Sequence, residues 1–183
     1  MSGIEHLFEE VLDASVSSDW DEAVNEWDVV GIDEDGNHDT SCICGKEGLR
    51  YLFTIQNRFN GNELFPIGSK CIGKFERADL DLNTATYQKL FELFNEYERN
   101  KFISLKSGMF SRKLLEFLYN DGAFKPTVYN GSDPYKDYEF LLSMFNKREE
   151  NITKKQNGKI KAILLNQIVP YIQTKMGELR RSE

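Results

Sequence analysis

The chain has 183 residues, 40% of them hydrophobic and 13% aromatic, enough apolar material for one large domain or two small ones and too much for global disorder. Its net charge of −7 is unevenly laid out: residues 1–40 hold 13 acidic side chains and no Lys or Arg, and the remainder holds 17 acidic against 23 basic. No apolar run approaches the ~20 residues that span a bilayer, and the acidic start lacks the basic and apolar regions of a signal peptide, so a cytosolic protein with reduced cysteines is expected.

The first segment alternates at helical spacing. Ile4, Leu7, Phe8 and Val11 form an apolar stripe, with Glu5, Glu9, Glu10 and Asp13 off it. A second helix is expected from Ser18, where Ser18-x-x-Asp21 resembles a capping box and Asp19, Asp21 and Glu22 suit the positive end of a helix dipole. Its stripe is Trp20, Ala23, Val24 and Trp27, and both tryptophans read as core rather than binding anchors. Val29 to Ile32 reads as a short strand, and Asp35-Gly36-Asn37 as a turn.

The chemistry concentrates next, in His38, Cys42, Cys44 and Cys71. A Cys42–Cys44 disulfide would close a strained ring, and the spacing and the reducing compartment favour metal binding over three free structural thiols. If the four side chains converge they make a Cys3His tetrahedron, which Zn2+ favours in structural sites. Cys42-Ile43-Cys44-Gly45 fits a tight knuckle, with Gly45 easing the turn. Leu49 to Asn57 is rich in β-formers, with Tyr51, Phe53 and Ile55 on one face and Leu52 and Thr54 on the other. Asn60-Gly61 signals a hairpin turn. Leu64 to Ile67 is the return strand, and Pro66 places it at a sheet edge. Ser69 is the expected N-cap of a helix carrying Cys71, Ile72 and Phe75. Knuckle, hairpin and helix together follow the plan of a treble-clef-like zinc module. Asp39 and, more distantly, His6 are the alternatives to His38 as fourth ligand.

Helices follow residue 80. Tyr87, Leu90, Phe91, Phe94 and Tyr97 make one stripe. Ser111 caps a helix that buries Leu114, Leu115 and Leu118 and stops at Gly122. Asp133-Pro134 starts another, leading to Tyr138, Leu141, Leu142 and Phe145. Thr153-x-x-Gln156 is a capping box for the last helix, burying Ile160, Ile163, Leu164 and Ile168. Pro170 is expected to kink or end it, and the tail from Gly177 to fray.

Cys42, Cys44, Gly45, Gly68, Ser69, Cys71, Ile72 and Phe75 together make a pattern that resembles a module in small proteins of phages and prophages of Gram-positive bacteria. Residues 111–126 and the Thr-x-x-Gln-x-x-Lys-Ile run from Thr153 to Ile160 look like mobile-element proteins as well. Within that company the chain is similar in kind to type II-A anti-CRISPR metalloproteins of phages. The resemblance implies a non-enzymatic inhibitor acting in the host cytoplasm. It would bind a type II CRISPR effector nuclease and block DNA loading or a required domain movement.

The fold class expected is therefore α+β: N-terminal helices, a treble-clef-like zinc module with a β-hairpin, then a C-terminal helical bundle. The expected layout is an acidic helical arm over 1–40, the zinc module over 41–80 and a helical domain over 81–183. Glu9, Glu10, Asp13, Asp19, Asp21, Glu22 and Glu26 are the expected partner-binding face, through charge complementarity to a basic protein. An enzyme is disfavoured. A His-Asn-His nuclease needs a histidine at the hairpin, and none follows position 38. No phosphate loop or Rossmann fingerprint is present. The second choice is a nucleic-acid-binding accessory protein. It would use Arg58, Lys70, Lys74 and Arg77 around the module and Lys147, Arg148, Lys154, Lys155, Lys159 and Lys161 beyond it.

Overall fold

The structure is a computed structural model in which residues 2–180 are described. It is α+β, with helices α1 (Gly3–Ala14), α2 (Trp20–Ala23), α3 (Ser69–Ile72), α4 (Ala78–Asn100), α5 (Arg112–Asn120), α6 (Pro134–Asn146), α7 (Lys154–Ile163) and α8 (Val169–Leu179). Strands β1 (Trp27–Glu34), β2 (Tyr51–Asn57) and β3 (Glu63–Ile67) form an antiparallel sheet in the order β1-β2-β3. The chain divides into two compact units, Met1–Gln88 with Glu178–Glu183, and Lys89–Gly177. Among the described residues no helix is long and apolar enough to cross a membrane.

In the first unit, α1 opens with a capping box between Ser2 and Glu5 and buries Leu7 and Val11. Ile4, expected on the same stripe, is 48% exposed. Helix α2 is capped by Asp19 rather than Ser18, because Asp19 accepts from the Glu22 amide. It lasts one turn, and a 3-10 turn over Val24–Glu26 delivers the chain into β1. Trp27 therefore starts a strand instead of ending a helix. It is fully buried, with its indole N–H donating to Ser15 Oγ. Trp20 lies between Phe8 and Phe75, at centroid distances of 4.0 and 5.6 Å.

The strand expected over 29–32 extends from Trp27 to Glu34 and pairs along the whole of β2, with one irregularity between Val29 and Gly31. The Asn60-Gly61 turn leads from β2 into β3, and β3 with its Pro66 is an edge strand. Both faces of β2 are covered: Phe53 and Ile55 on one side, Leu52 and Thr54 on the other, are all buried. Gly31 shows what covers one of them. A Cβ built there would meet the Leu179 carbonyl at 2.8 Å. The tail expected to fray thus stays helical to Leu179, which is 6% exposed, and Arg180 lies 3.7 Å from Asp33. Residues 181–183, part of the same expectation, lie outside the described residues.

In the second unit the capping signals and the helix starts agree. Ser111 Oγ accepts from the Leu114 amide, and α5 buries Leu114, Leu115 and Leu118. Asp133 caps α6 with Pro134 at its start. Thr153 and Gln156 complete the capping box of α7. Tyr119 of α5 stacks on Tyr138 of α6 at 4.8 Å, with Phe124 and Tyr135 around them. Pro170 does not end the last helix. A π turn over Leu164–Ile168 lies just before it, and Val169 donates to the Leu164 carbonyl five residues back. That shift of register lets a helix continue past a residue that has no N–H to give.

Candidate metal centre

Three cysteines converge in the first unit. The Sγ atoms of Cys42, Cys44 and Cys71 lie within 4.8 Å of one another and could hold a metal ion. Cys42 and Cys71 are 3.6 Å apart, and Cys71 and Cys44 are 3.3 Å apart. An ion at ~2.3 Å from each sulfur in tetrahedral geometry would set these edges at about 3.8 Å. The donors therefore stand close to where a tetrahedral ion needs them.

Local backbone chemistry explains the convergence. The Gly45 amide donates to the Cys42 carbonyl, Cys42 donates to the Lys46 carbonyl, and Gly45 takes φ +86, which glycine adopts without strain. A bridge between Thr40 and Leu49 closes the loop outside this knuckle. The hairpin then returns the chain, with the Ile43 amide donating to the Pro66 carbonyl. Gly68 donates to Cys42 Sγ at 3.3 Å. Gly68, not Ser69, is the N-cap of α3, because the backbone stays extended through Gly68 and a side chain there would press on Leu49 at 3.1 Å. Cys71 follows in the first turn.

Without an ion the sulfurs must share protons. The Cys42 thiol is drawn down to about 5, first by the hydrogen bond it shares with Cys71, against burial, which raises it. The backbone N–H groups of Cys44 and Gly68 and the Cys44 side chain add to that effect. Cys71 is pushed up, first by its bond to Cys42, then by burial and by Cys44. The cluster holds one thiolate readily and resists several, so a soft divalent cation would displace protons on entering it.

His38 is not in this group. It is an exposed residue at φ 60, in a turn governed by Asp35. The Asp35 carboxylate accepts from the amides of Asn37, Asp39 and Thr40 and from the Thr40 hydroxyl. Those bonds, the Thr40 hydroxyl first, hold Asp35 down at about 2 and fix the loop. Asp39 is exposed in the same turn, and His6 faces Glu10 at 3.8 Å on α1. Among the described residues, no histidine or carboxylate joins the three sulfurs.

The expected acidic face divides in two. Glu9, Asp13, Asp19, Asp21 and Glu22 are exposed, and Glu10 is half-buried. Glu26 is 5% exposed and cannot face a partner. Its carboxylate takes the amides of Val16 and Ser17, each at 2.7 Å, and the Asn57 side chain. Of the basic residues expected near the module, Arg77 is also structural. Its guanidinium donates to the carbonyls of Val24 and Trp27 and pairs with Asp79. Arg58 pairs with Asp28 at 2.7 Å. The buried carboxylate of Asp137 was not expected, because its partners are remote in sequence. Compared with models of protein families, with curated proteins and with solved structures, the chain finds no match.

Proposed function

We propose that this chain is a non-enzymatic, zinc-stabilised inhibitor that binds a basic protein through its acidic unit. The observation that carries the reading is charge segregation. The unit containing the cysteine cluster has 20 acidic and 8 basic residues, and the helical unit has 10 acidic and 15 basic. Such a surface speeds encounter with a basic partner and selects against acidic ones. Following the resemblance to phage metalloproteins, the partner is a type II CRISPR effector nuclease in the host cytoplasm, hindered in DNA loading or activation. Zinc is the ion proposed, because three thiolates near tetrahedral spacing suit it. In a treble-clef-like clamp it would pin the knuckle to the start of α3. The fourth ligand would come from solvent or from the partner.

Pull-down with the purified nuclease tests the reading. Retention that weakens with salt, and a loss of about tenfold or more on reversing Glu9, Asp13 and Asp21 to Lys together, is expected. No retention of any CRISPR effector, with the chain folded, contradicts it. The nucleic-acid reading loses Arg77, whose guanidinium is engaged within the fold, while Arg58, Lys70 and Lys74 remain exposed.

A further inference from the structure

The helical unit contains a pocket of about 540 Å3, within the range of small-molecule sites. Its wall is mainly apolar, from Val128, Tyr129, Ala162 and Ile163. Asp137 lines it and is 2% exposed. Asp137 Oδ2 accepts from Asn130 Nδ2 and Gln167 Nε2, each at 2.8 Å. Oδ1 has, among the described residues, the Lys159 ammonium at 3.7 Å, which is beyond hydrogen-bond range. Among the described residues no buried side-chain oxygen is left without a partner, so Oδ1 is an acceptor open to the pocket, where a donor on a ligand can replace water.

Two further features mark the same place. Asn166 and Gln167, both on the wall, belong to the π turn, and such turns recur at functional sites. The mouth carries Val128 and Tyr129, 88% and 92% exposed. They sit on a short turn fixed by the Thr127–Asn130 capping box, so the exposed ring is presented by an ordered backbone. Large apolar side chains left in water beside a pocket mark a contact surface.

The chemistry narrows the ligand. Lys159 already balances the Asp137 charge, so a neutral donor suits Oδ1 better than a cation. Lys125, an exposed cation, lines the pocket as well, in a unit with excess positive charge, which favours an anionic end on the ligand. An apolar slot beside an exposed tyrosine suits a flat ring. We propose that this pocket binds a nucleotide whose base carries an exocyclic amine. The amine donates to Asp137 Oδ1, the base lies between Tyr129 and the wall of Ala162 and Ile163, and the phosphate meets Lys125. A free mononucleotide and one residue of a single strand present this same chemistry.

Calorimetric titration of the whole chain with AMP, CMP, GMP and UMP, and with oligo-dA, oligo-dC and oligo-dT, tests it. At least one amine-bearing monophosphate should bind about tenfold or more tighter than UMP, since a site built for a donor rejects the analogue that lacks it. Tyr129→Ala, at an exposed position, should weaken binding by about tenfold with an unchanged melting temperature. Lys125→Ala should weaken the monophosphate and spare the nucleoside. Affinity rising with oligonucleotide length assigns the site to a strand, and affinity greatest for the mononucleotide assigns it to a free ligand. No saturable binding of AMP, CMP or GMP at millimolar concentration would overturn the proposal, as would equal binding of UMP or an unaltered Tyr129→Ala.

Discussion

The backbone amide of Gly68 points at the sulfur of Cys42, with 3.3 Å between them. The two residues are 26 apart in sequence, and the hairpin between them makes the meeting possible. The contact joins the knuckle to the residue that caps the Cys71 turn. It also stabilises negative charge on the most buried of the three sulfurs. A thiolate with a backbone donor is a ligand prepared for a metal.

Replacing Cys71 with Ser removes one of the three sulfurs while leaving α3 able to form. Loss of a structural metal is among the few causes of a large single-site effect, so destabilisation by about 4 kcal/mol or more is expected. Urea denaturation measures it. A chelator should lower the stability of the parent chain and leave Cys71→Ser unchanged.

Glu26 is expected to contribute to the loss of stability in acid. Burial, the largest single influence, raises its pKa, but the bonds from Val16, Asn57 and Ser17 together bring it below the ordinary value of 4.5. The folded state therefore favours the carboxylate. Its contribution is complete above the unfolded value and fades as pH falls through the folded one. Glu26→Gln should cost about 1–3 kcal/mol at pH 7. Its urea midpoint should also change less with pH below 4.5 than that of the parent chain.

Gly31 tests the covering of the sheet. An added methyl would press on the Leu179 carbonyl at 2.8 Å and on Thr54 Oγ1 at 3.2 Å. Neither can retreat without moving backbone or a buried side chain. Gly31→Ala should destabilise by about 1–3 kcal/mol, read from the thermal midpoint. Gly36→Ala, with open space around the added methyl, should change it far less.

The elements legible in the sequence are those whose causes are local. Ser111, Asp133-Pro134 and Thr153 act on amides two or three residues away, so their helices could be placed from a few letters. Convergence of the three cysteines was legible because the hairpin signal lies between them. Trp27 misled for a stated reason. Trp20, Ala23, Val24 and Trp27 fit helical spacing, yet the apolar pattern is served equally by one helical turn followed by a strand. Pro170 marked an irregularity without saying which, because the π turn that precedes it has no sequence signature. Asp137 lies 7 residues from Asn130 and 30 from Gln167, so no local pattern announces that network. The distinction between Glu26 and its acidic neighbours depends on Asn57, 31 residues away, and only the fold reveals it.

The central claim is that Cys42, Cys44 and Cys71 form one metal centre. Elemental analysis, with native mass spectrometry, of the full chain purified without added metal tests it most directly. The account predicts about one zinc per chain, lost together in Cys42→Ser and Cys71→Ser. A correctly folded chain with no bound metal and three freely alkylated thiols would contradict it.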